Sequence, residues 1–107
     1  MFKGKKVLVL GLAKSGKAAV ELLNFMHADI TINESKKKED IPEYDKYVSE
    51  GIEMVCGGQP DELFERDFDF VVKNPGINYH APFILRLKER GIPVYTEIEL
   101  GYKVAKK

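Results

Sequence analysis

The chain has 107 residues, of which 44% are hydrophobic and 32% charged, a composition typical of one soluble globular domain rather than of a disordered chain. Its 17 Lys and Arg residues balance its 17 Asp and Glu residues, which removes a general electrostatic reason to bind nucleic acid or an anionic membrane. No apolar stretch approaches the roughly 20 residues that span a bilayer. The single cysteine, Cys56, excludes an internal disulfide, and His27 and His80 show no metal-ligand spacing. We therefore expect a cytoplasmic, monomeric single domain that holds no metal and binds neither nucleic acid nor membrane.

The hydrophobic pattern predicts strands that alternate with helices. Residues 5–10 form a continuous apolar run that stops at Gly11, as in a strand buried on both faces. Residues 15–26 carry apolar side chains at helical spacing, with Ser15 as a candidate N-cap. The later predicted elements are a strand at 29–33, a helix at 42–49 closed by Gly51, a strand at 52–55, a short helix from 60, a strand at 68–72, a helix at 81–90 closed by Gly91, a strand at 93–95 and a helix at 97–105. This alternation predicts an α/β fold, a Rossmann-like three-layer domain with a five-stranded parallel sheet.

The most informative motif is the segment 11–16, GLAKSG, between the first predicted strand and the first predicted helix. At such a junction the free N–H groups and the dipole of the helix favour a phosphate or diphosphate. The pattern is G-x-A-x-x-G, so Ala13 stands where a second glycine normally lets the backbone approach the pyrophosphate of a dinucleotide. The motif is therefore a degraded dinucleotide fingerprint. A tight turn with close helix packing and no ligand would also explain Gly11 and Gly16.

Other nucleotide-binding patterns touch the same region. Residues 11–18 approach a Walker A loop, but Ala18 lacks the hydroxyl that such a loop places on Mg²⁺. Glu34 follows Gly16 by eighteen residues, near the place where dinucleotide folds carry the acid that binds a ribose, and this leaves a nicotinamide cofactor open. Asn33 and the lysines after it offer hydrogen bonds and charge to a base edge instead.

Five motifs in order resemble the N-terminal domain of the Mur ligases, and most of all the MurD type. They are KKVLVLGLAKSGKAA, TINES, CGGQP, VVKNPGI and GIPVYTEIELGY. The resemblance covers essentially the whole chain, and its distinctive part is the NPGI and EIEL segments combined with the glycine loop. It implies a Rossmann-like domain that binds the UDP part of UDP-N-acetylmuramoyl-L-alanine and no dinucleotide, which suits Ala13.

The resemblance implies a UDP site built from the ends of three predicted strands. The residues carried over are Lys14, Ser15, Gly16, Asn33, Glu34, Lys36, Asn74, Pro75 and Gly76. The first three would offer backbone N–H groups and a hydroxyl to the diphosphate, and the last three would face them across the crevice. The middle three would lie at the uracil, where Lys36 or Lys37 would replace a base-stacking arginine of the family. A turn at 74–76 without any ligand stays an alternative, and no catalytic residue or metal ligand is expected in this chain.

The resemblance also implies that residues 1–107 are the first domain of a longer ATP-dependent ligase. A central ATP-binding domain and a C-terminal domain would follow, so ATP and Mg²⁺ would belong to them and no cofactor to this domain. The resemblance implies that in that enzyme ATP would phosphorylate the terminal carboxylate of the substrate, and that the amine of D-glutamate would attack the acyl phosphate to form an amide of the peptidoglycan precursor. This chain alone would be inactive. Two other functions remain open: an NAD(P)-binding domain of an oxidoreductase, and a nucleotide-sensing regulatory module.

Overall fold

Five strands form one sheet in the structure, a computed structural model that describes residues 3–12, 14–74 and 81–105. The strands are β1 (Lys6–Leu10), β2 (Asp29–Glu34), β3 (Glu53–Cys56), β4 (Phe70–Lys73) and β5 (Val94–Thr96). All four pairings are parallel, and the strand order is β3-β2-β1-β4-β5. The predicted Rossmann-like α/β fold with a five-stranded parallel sheet is confirmed.

Helices lie between these strands and after the last of them. They are α1 (Lys14–Phe25), α2 (Tyr44–Ser49), α3 (Pro82–Glu89) and α4 (Glu97–Ala105), together with the 3-10 helices Lys38–Asp40 and Asp61–Glu65. Within the residues that the structure describes, no helix is long and apolar enough to cross a membrane.

Two predicted helix starts are wrong. Ser15 does not cap α1, because it is the second residue of that helix. The helix expected from Pro42 begins two residues later, because the Tyr44 N–H first closes a turn onto the Ile41 carbonyl at 3.1 Å. Hydrophobic spacing alone does not fix the first residue of a helix to within one or two positions.

The sheet is buried on both faces, which gives the domain three layers. Along β1, Val7 and Val9 pack with α1, α2 and α4, whereas Leu8 and Leu10 pack with α3 and the 3-10 helix Asp61–Glu65. None of these four β1 residues is more than 1% exposed. The continuous apolar run of the first strand is the sequence signature of this two-sided burial.

Helices α1, α2 and α3 end in the same hydrogen-bond motif, in which the second residue after the helix adopts a positive φ and the next N–H donates to the carbonyl five residues earlier. That residue is Gly51 after α2 (φ +84°) and Gly91 after α3 (φ +78°), as the sequence predicts. After α1 it is His27, with φ +63°. A residue with a side chain is disfavoured in this conformation, so α1 ends less favourably than the other two helices.

Candidate functional site

The strand order predicts a ligand at the carboxyl ends of β1 and β4. These strands are neighbours, and the chain order runs outward from them in opposite directions, to β2 and β3 on one side and to β5 on the other. In open α/β sheets ligands bind at this switch point, beyond the carboxyl ends of the strands. A Cβ atom added to Gly11 would lie 3.9 Å from the Cβ of Asn74. The glycine loop therefore meets the end of β4, where the sequence predicts Asn74 to lie.

Two glycines allow the chain to turn from β1 into α1. Gly11 has a φ of +90°, which residues with a side chain rarely adopt. Its N–H donates to the Asn33 carbonyl at 2.8 Å and so extends the pairing of β1 with β2. Gly16 is buried in the first turn of α1, and a Cβ there would collide with the Gly11 carbonyl oxygen. Backbone conformation and packing thus account for both glycines without a ligand. The same tight turn would also let an anion approach the backbone at the start of α1.

Lys14, Ser15 and Gly16 are the first three residues of α1. The first turn of this helix contains no acidic residue. A helix start carries N–H groups without intrahelical partners and the positive end of the helix dipole, and it therefore favours an anion. Pro75 and Gly76 lie outside the described residues, so their contact with a ligand remains a prediction.

Glu34, the last residue of β2, joins two loops through its carboxylate. Oε1 accepts the Leu12 N–H at 2.8 Å, and Oε2 accepts the Lys36 N–H at 2.8 Å and the Ser35 hydroxyl at 3.2 Å. Burial by itself would raise the pKa of this carboxyl, but these hydrogen bonds and the charge of Lys36 together lower the pKa below its ordinary value. Glu34 is therefore a charged group, only 8% exposed, that the chain's own donors stabilise.

Asn33 holds the loop on the other side of β2. Its Nδ2 donates to the Val55 carbonyl at 3.1 Å and to the Gly58 carbonyl at 2.7 Å, and the residue is 3% exposed. Both amide hydrogens are thus used inside the domain. A base that accepted a hydrogen bond from this amide would have to break one of these bonds.

The lysine run 36–38 is exposed, as the sequence predicts for a solvated loop. Beside it a cavity of about 370 Å³ opens at the carboxyl end of β3. Its lining residues are Lys37, Lys38, Glu39, Tyr44, Met54, Cys56 and Gly57. A second cavity, of about 40 Å³, is lined by residues that include Lys17, Glu34 and Lys36. Lys36, which the sequence predicts to lie at the base, therefore lines the smaller of these two cavities, next to the end of β2.

Two charged groups at this edge were not predicted from the sequence. Lys73, the last residue of β4, is 2% exposed, pairs in register with Leu10 and donates to the Asn74 carbonyl at 3.4 Å. Lys17 forms an ion pair with Glu43 at 2.9 Å, and this contact lowers the pKa of Glu43. A lysine directly after the apolar run FVV was a visible signal for the first group. The ion pair of Lys17 with Glu43 joins residues 26 positions apart, and no local sequence pattern predicts such a contact.

The described residues include no group of three His, Cys, Asp or Glu side chains that could hold a metal ion. Cys56 is half-buried at the end of β3. Burial raises the pKa of its thiol, and the charges of Glu34 and Glu39 raise it further. Cys56 is therefore a small residue at a strand end and not an activated thiolate, as its sequence context suggests.

The fold is that of a Rossmann-like domain, whose first helix begins at the carboxyl edge of the sheet without an acid in its first turn. The sequence profile described as "Mur ligase MurD-like, N-terminal domain" matches residues 5–96. The chain belongs to this MurD-like N-terminal domain family of the Mur ligases.

Individual relatives agree with this family. The UDP-N-acetylmuramoylalanine--D-glutamate ligase of Streptococcus thermophilus is 50% identical over 103 residues, which are 96% of this chain and 23% of that protein. The enzyme of the same name from Streptococcus pneumoniae is 49% identical over 104 residues, 97% of this chain and 23% of that protein. The chain thus spans less than a quarter of the length of these relatives.

Solved structures show the same fold in proteins of low sequence identity. Scyllo-inositol dehydrogenase from Lactobacillus casei superposes with a TM-score of 0.63 at 20% identity, over 90% of this chain and 28% of that one. Shikimate dehydrogenase from Aquifex aeolicus gives a TM-score of 0.53 at 15% identity, over 90% of this chain and 43% of that one. At such identities the likeness concerns the fold alone.

Proposed function

We propose that residues 1–107 are the UDP-binding N-terminal domain of a ligase that adds D-glutamate to UDP-N-acetylmuramoylalanine. The observation that supports this most is the MurD-like N-terminal domain match over residues 5–96. Because the chain spans 23% of a relative of that name, we assign ATP, Mg²⁺ and the amide-forming step to further domains of a longer enzyme. That enzyme would act in the cytoplasm, in the synthesis of peptidoglycan precursors.

The diphosphate of the substrate is proposed to lie at the start of α1. Its oxygens would accept hydrogen bonds from the N–H groups of Lys14, Ser15 and Gly16. The absence of an acid in the first turn supports this, because no side-chain charge there opposes an anion. The turn 74–76, with Asn74, Pro75 and Gly76, would meet the diphosphate from the other side of the crevice. The close approach of Gly11 and the Asn74 Cβ supports that arrangement.

The nucleoside is proposed to lie toward the ends of β2 and β3. Lys36 would contribute charge and an aliphatic stem to the uracil, while Asn33 and Glu34 would form the inner border of that region. A pyrimidine ring needs a concave, partly apolar surface. The cavity of about 370 Å³ at the end of β3, lined by Lys37 and Lys38, supports a nucleoside in this region, and Glu34 and Lys36 line a smaller cavity of about 40 Å³.

In this proposal the domain contributes binding energy and no chemical step. UDP lies at the end of the substrate remote from the carboxylate that reacts, and binding energy from such a remote group can be used to orient the reacting centre. We therefore assign no catalytic residue to this chain.

The proposal is tested by an NMR amide-shift titration of the 107-residue chain with UDP and, separately, with NADH. We expect UDP to shift amides at 14–16, 33–36 and 74–77 and NADH to leave them in place. Shifts with NADH alone would favour an oxidoreductase domain instead, and silence with both ligands would contradict UDP binding by this domain.

A matched pair of lysine variants sharpens the test. Lys36→Ala should weaken UDP binding. Lys88→Ala, which alters an exposed lysine of α3 on the other face of the sheet, should leave it unchanged. Equal losses in both variants would point to a nonspecific charge effect.

A further inference from the structure

Two adjacent side chains fasten the loops that follow β1, β2 and β3. Glu34 accepts hydrogen bonds from Leu12 in the glycine loop and from Lys36 in the loop after β2. Asn33 points to the opposite face and donates to Gly58 in the loop after β3. The loops of the proposed UDP site are thus joined at the last two residues of one strand.

The bonds made by Glu34 have the character of strong hydrogen bonds. Both N–H donors lie 2.8 Å from a carboxylate oxygen, the distance of charge-assisted bonds. Glu34 is 8% exposed, so water competes little for the same oxygens. A buried carboxylate without donors is unfavourable, so the carboxylate and the two loops hold each other in place.

The bond to Leu12 restrains the glycine loop directly after Gly11. Gly11, with φ +90°, leaves the course of the following peptide open, because glycine permits many backbone conformations. Glu34, which lies 22 residues further along the sequence, accepts the hydrogen bond of the Leu12 N–H. This contact fixes the Leu12 peptide two residues before the first residue of α1, close to the helix start at which the diphosphate is proposed to bind.

We propose that Glu34 is a positioning residue, which holds the glycine loop and the loop after β2 in one ligand-ready arrangement through the length and charge of its side chain. The inference rests on the proposed UDP site, because those two loops are its diphosphate and nucleoside ends. A loop that is ordered before the ligand binds improves affinity, because binding no longer includes the entropic cost of ordering the loop. Glu34 acts here through the backbone of Leu12 and Lys36, with no need to touch the nucleotide.

Several other charged groups surround Glu34. Lys17 from α1, Lys36, Asp40 and Glu43 line the same small cavity. The pKa of Glu43 is also lowered, by its ion pair with Lys17. A change of overall stability or binding with pH would therefore report on Glu34 and Glu43 together. The test must therefore follow individual atoms.

The first experiment uses the ligand-free wild-type chain. NMR would follow the Glu34 carboxyl carbon and the Leu12 and Lys36 amide protons as the pH is lowered. We expect the three signals to move together with one midpoint below the ordinary glutamate value of 4.5. A Leu12 amide that does not move, or moves with another midpoint, would overturn the proposal.

The second experiment separates position from charge. Glu34→Asp keeps the charge but shortens the side chain, and Glu34→Gln keeps the length but faces one N–H with an amide donor. The ligand is a UDP-hexose, a diphosphate diester whose charge stays constant near neutral pH. We expect both variants to bind it about tenfold more weakly, as for the loss of one hydrogen bond to a charged group, and to exchange the Leu12 amide hydrogen faster. Glu89→Gln, at an exposed acid in the last turn of α3 and away from the proposed site, should change neither quantity.

The two readouts distinguish the inference from the proposed function. Unchanged affinity in Glu34→Asp with tighter binding in Glu34→Gln would mean that only charge matters, and would overturn the positioning role. If the wild-type chain bound no UDP-hexose, the proposed function would fail, whereas the pH titration and the Leu12 exchange rate would still decide whether Glu34 holds the loop.

Discussion

Helices α1 and α4 pack on the same face of the sheet and both begin at its carboxyl edge, but their first turns are built in opposite ways. At α4 the Thr96 hydroxyl accepts the Glu99 N–H at 3.2 Å, and the Glu99 carboxylate accepts the Thr96 N–H at 2.9 Å. Glu97 and Glu99 also bring two negative charges to that turn. At α1 the first turn has no acid. The Glu34 carboxylate is bonded to Leu12, in the loop that precedes the helix.

The difference shows that the free N–H groups at a helix start can be capped by side chains or left available to a ligand. A capping box satisfies free N–H groups and its acid offsets the helix dipole, so α4 has little to offer an anion. At α1, Gly16 lets the helix start pack against the Gly11 carbonyl. The first turn of α1 also contains no acidic side chain that would oppose an anion. The chain thus distinguishes a structural helix start from a candidate ligand site by a few residues.

The largest expected effect comes from adding one methyl group to each helix. Gly16→Ala should destabilise the domain by about 1–3 kcal/mol, because its Cβ would collide with the Gly11 carbonyl, and should weaken UDP binding. Gly101→Ala is the matched control in α4, where a Cβ meets nothing within 4 Å, and should stabilise by about 0.5–1 kcal/mol. Urea unfolding of both variants measures this, and equal effects would remove the distinction between the two helices.

Acid should loosen the entry to α1. The pKa of Glu34 is lowered in the folded chain from 4.5, so its stabilising contribution is complete above that pH and is lost as the pH falls through the folded pKa. Glu34→Gln should therefore be less stable than the wild type at about pH 7, and the gap should shrink toward about pH 3. Urea unfolding across this range checks it, and a gap that does not change with pH would contradict a charged Glu34.

Removing the cap of α4 should affect stability alone. Thr96→Ala deletes the hydroxyl that accepts the Glu99 N–H and should cost about 1 kcal/mol, with UDP affinity unchanged. Thr96→Ser keeps the hydroxyl and should recover most of the loss. A clear change in UDP affinity in the alanine variant would mean that the start of α4 also takes part in binding.

The smallest effect is expected at the far end of α1. His27→Gly relieves the positive φ of His27 but makes the unfolded chain more flexible, so we expect a net stabilisation of roughly 0.5 kcal/mol. Thermal unfolding measures the gain, and UDP binding should not change, because the site is at the other end of the helix. A destabilised variant would show that the His27 side chain contributes contacts worth more than the strain.

Most of the fold could be predicted, and the errors have local causes. The strands were found because burial on both faces leaves uninterrupted apolar runs, as in β1 and β4. Gly51 and Gly91 were recognised as helix ends, whereas His27 takes the same role without glycine and gave no signal. The capping box Thr96–Glu99 is present as T-x-x-E in the sequence, but it becomes recognisable only once β5 is known to end at Thr96.

The sequence by itself determined the alternation of strands and helices, the glycine turn after β1 and the edge of the sheet at which the candidate residues gather, because apolar spacing and glycine act over a few neighbouring residues. Only the tertiary structure decided which partners those residues take. Asn33 donates to Gly58, Glu34 accepts from Leu12, and Lys17 pairs with Glu43, contacts between residues 22 to 26 positions apart. Such partners depend on strand order and register, which bring distant segments within hydrogen-bond distance and which no local pattern specifies.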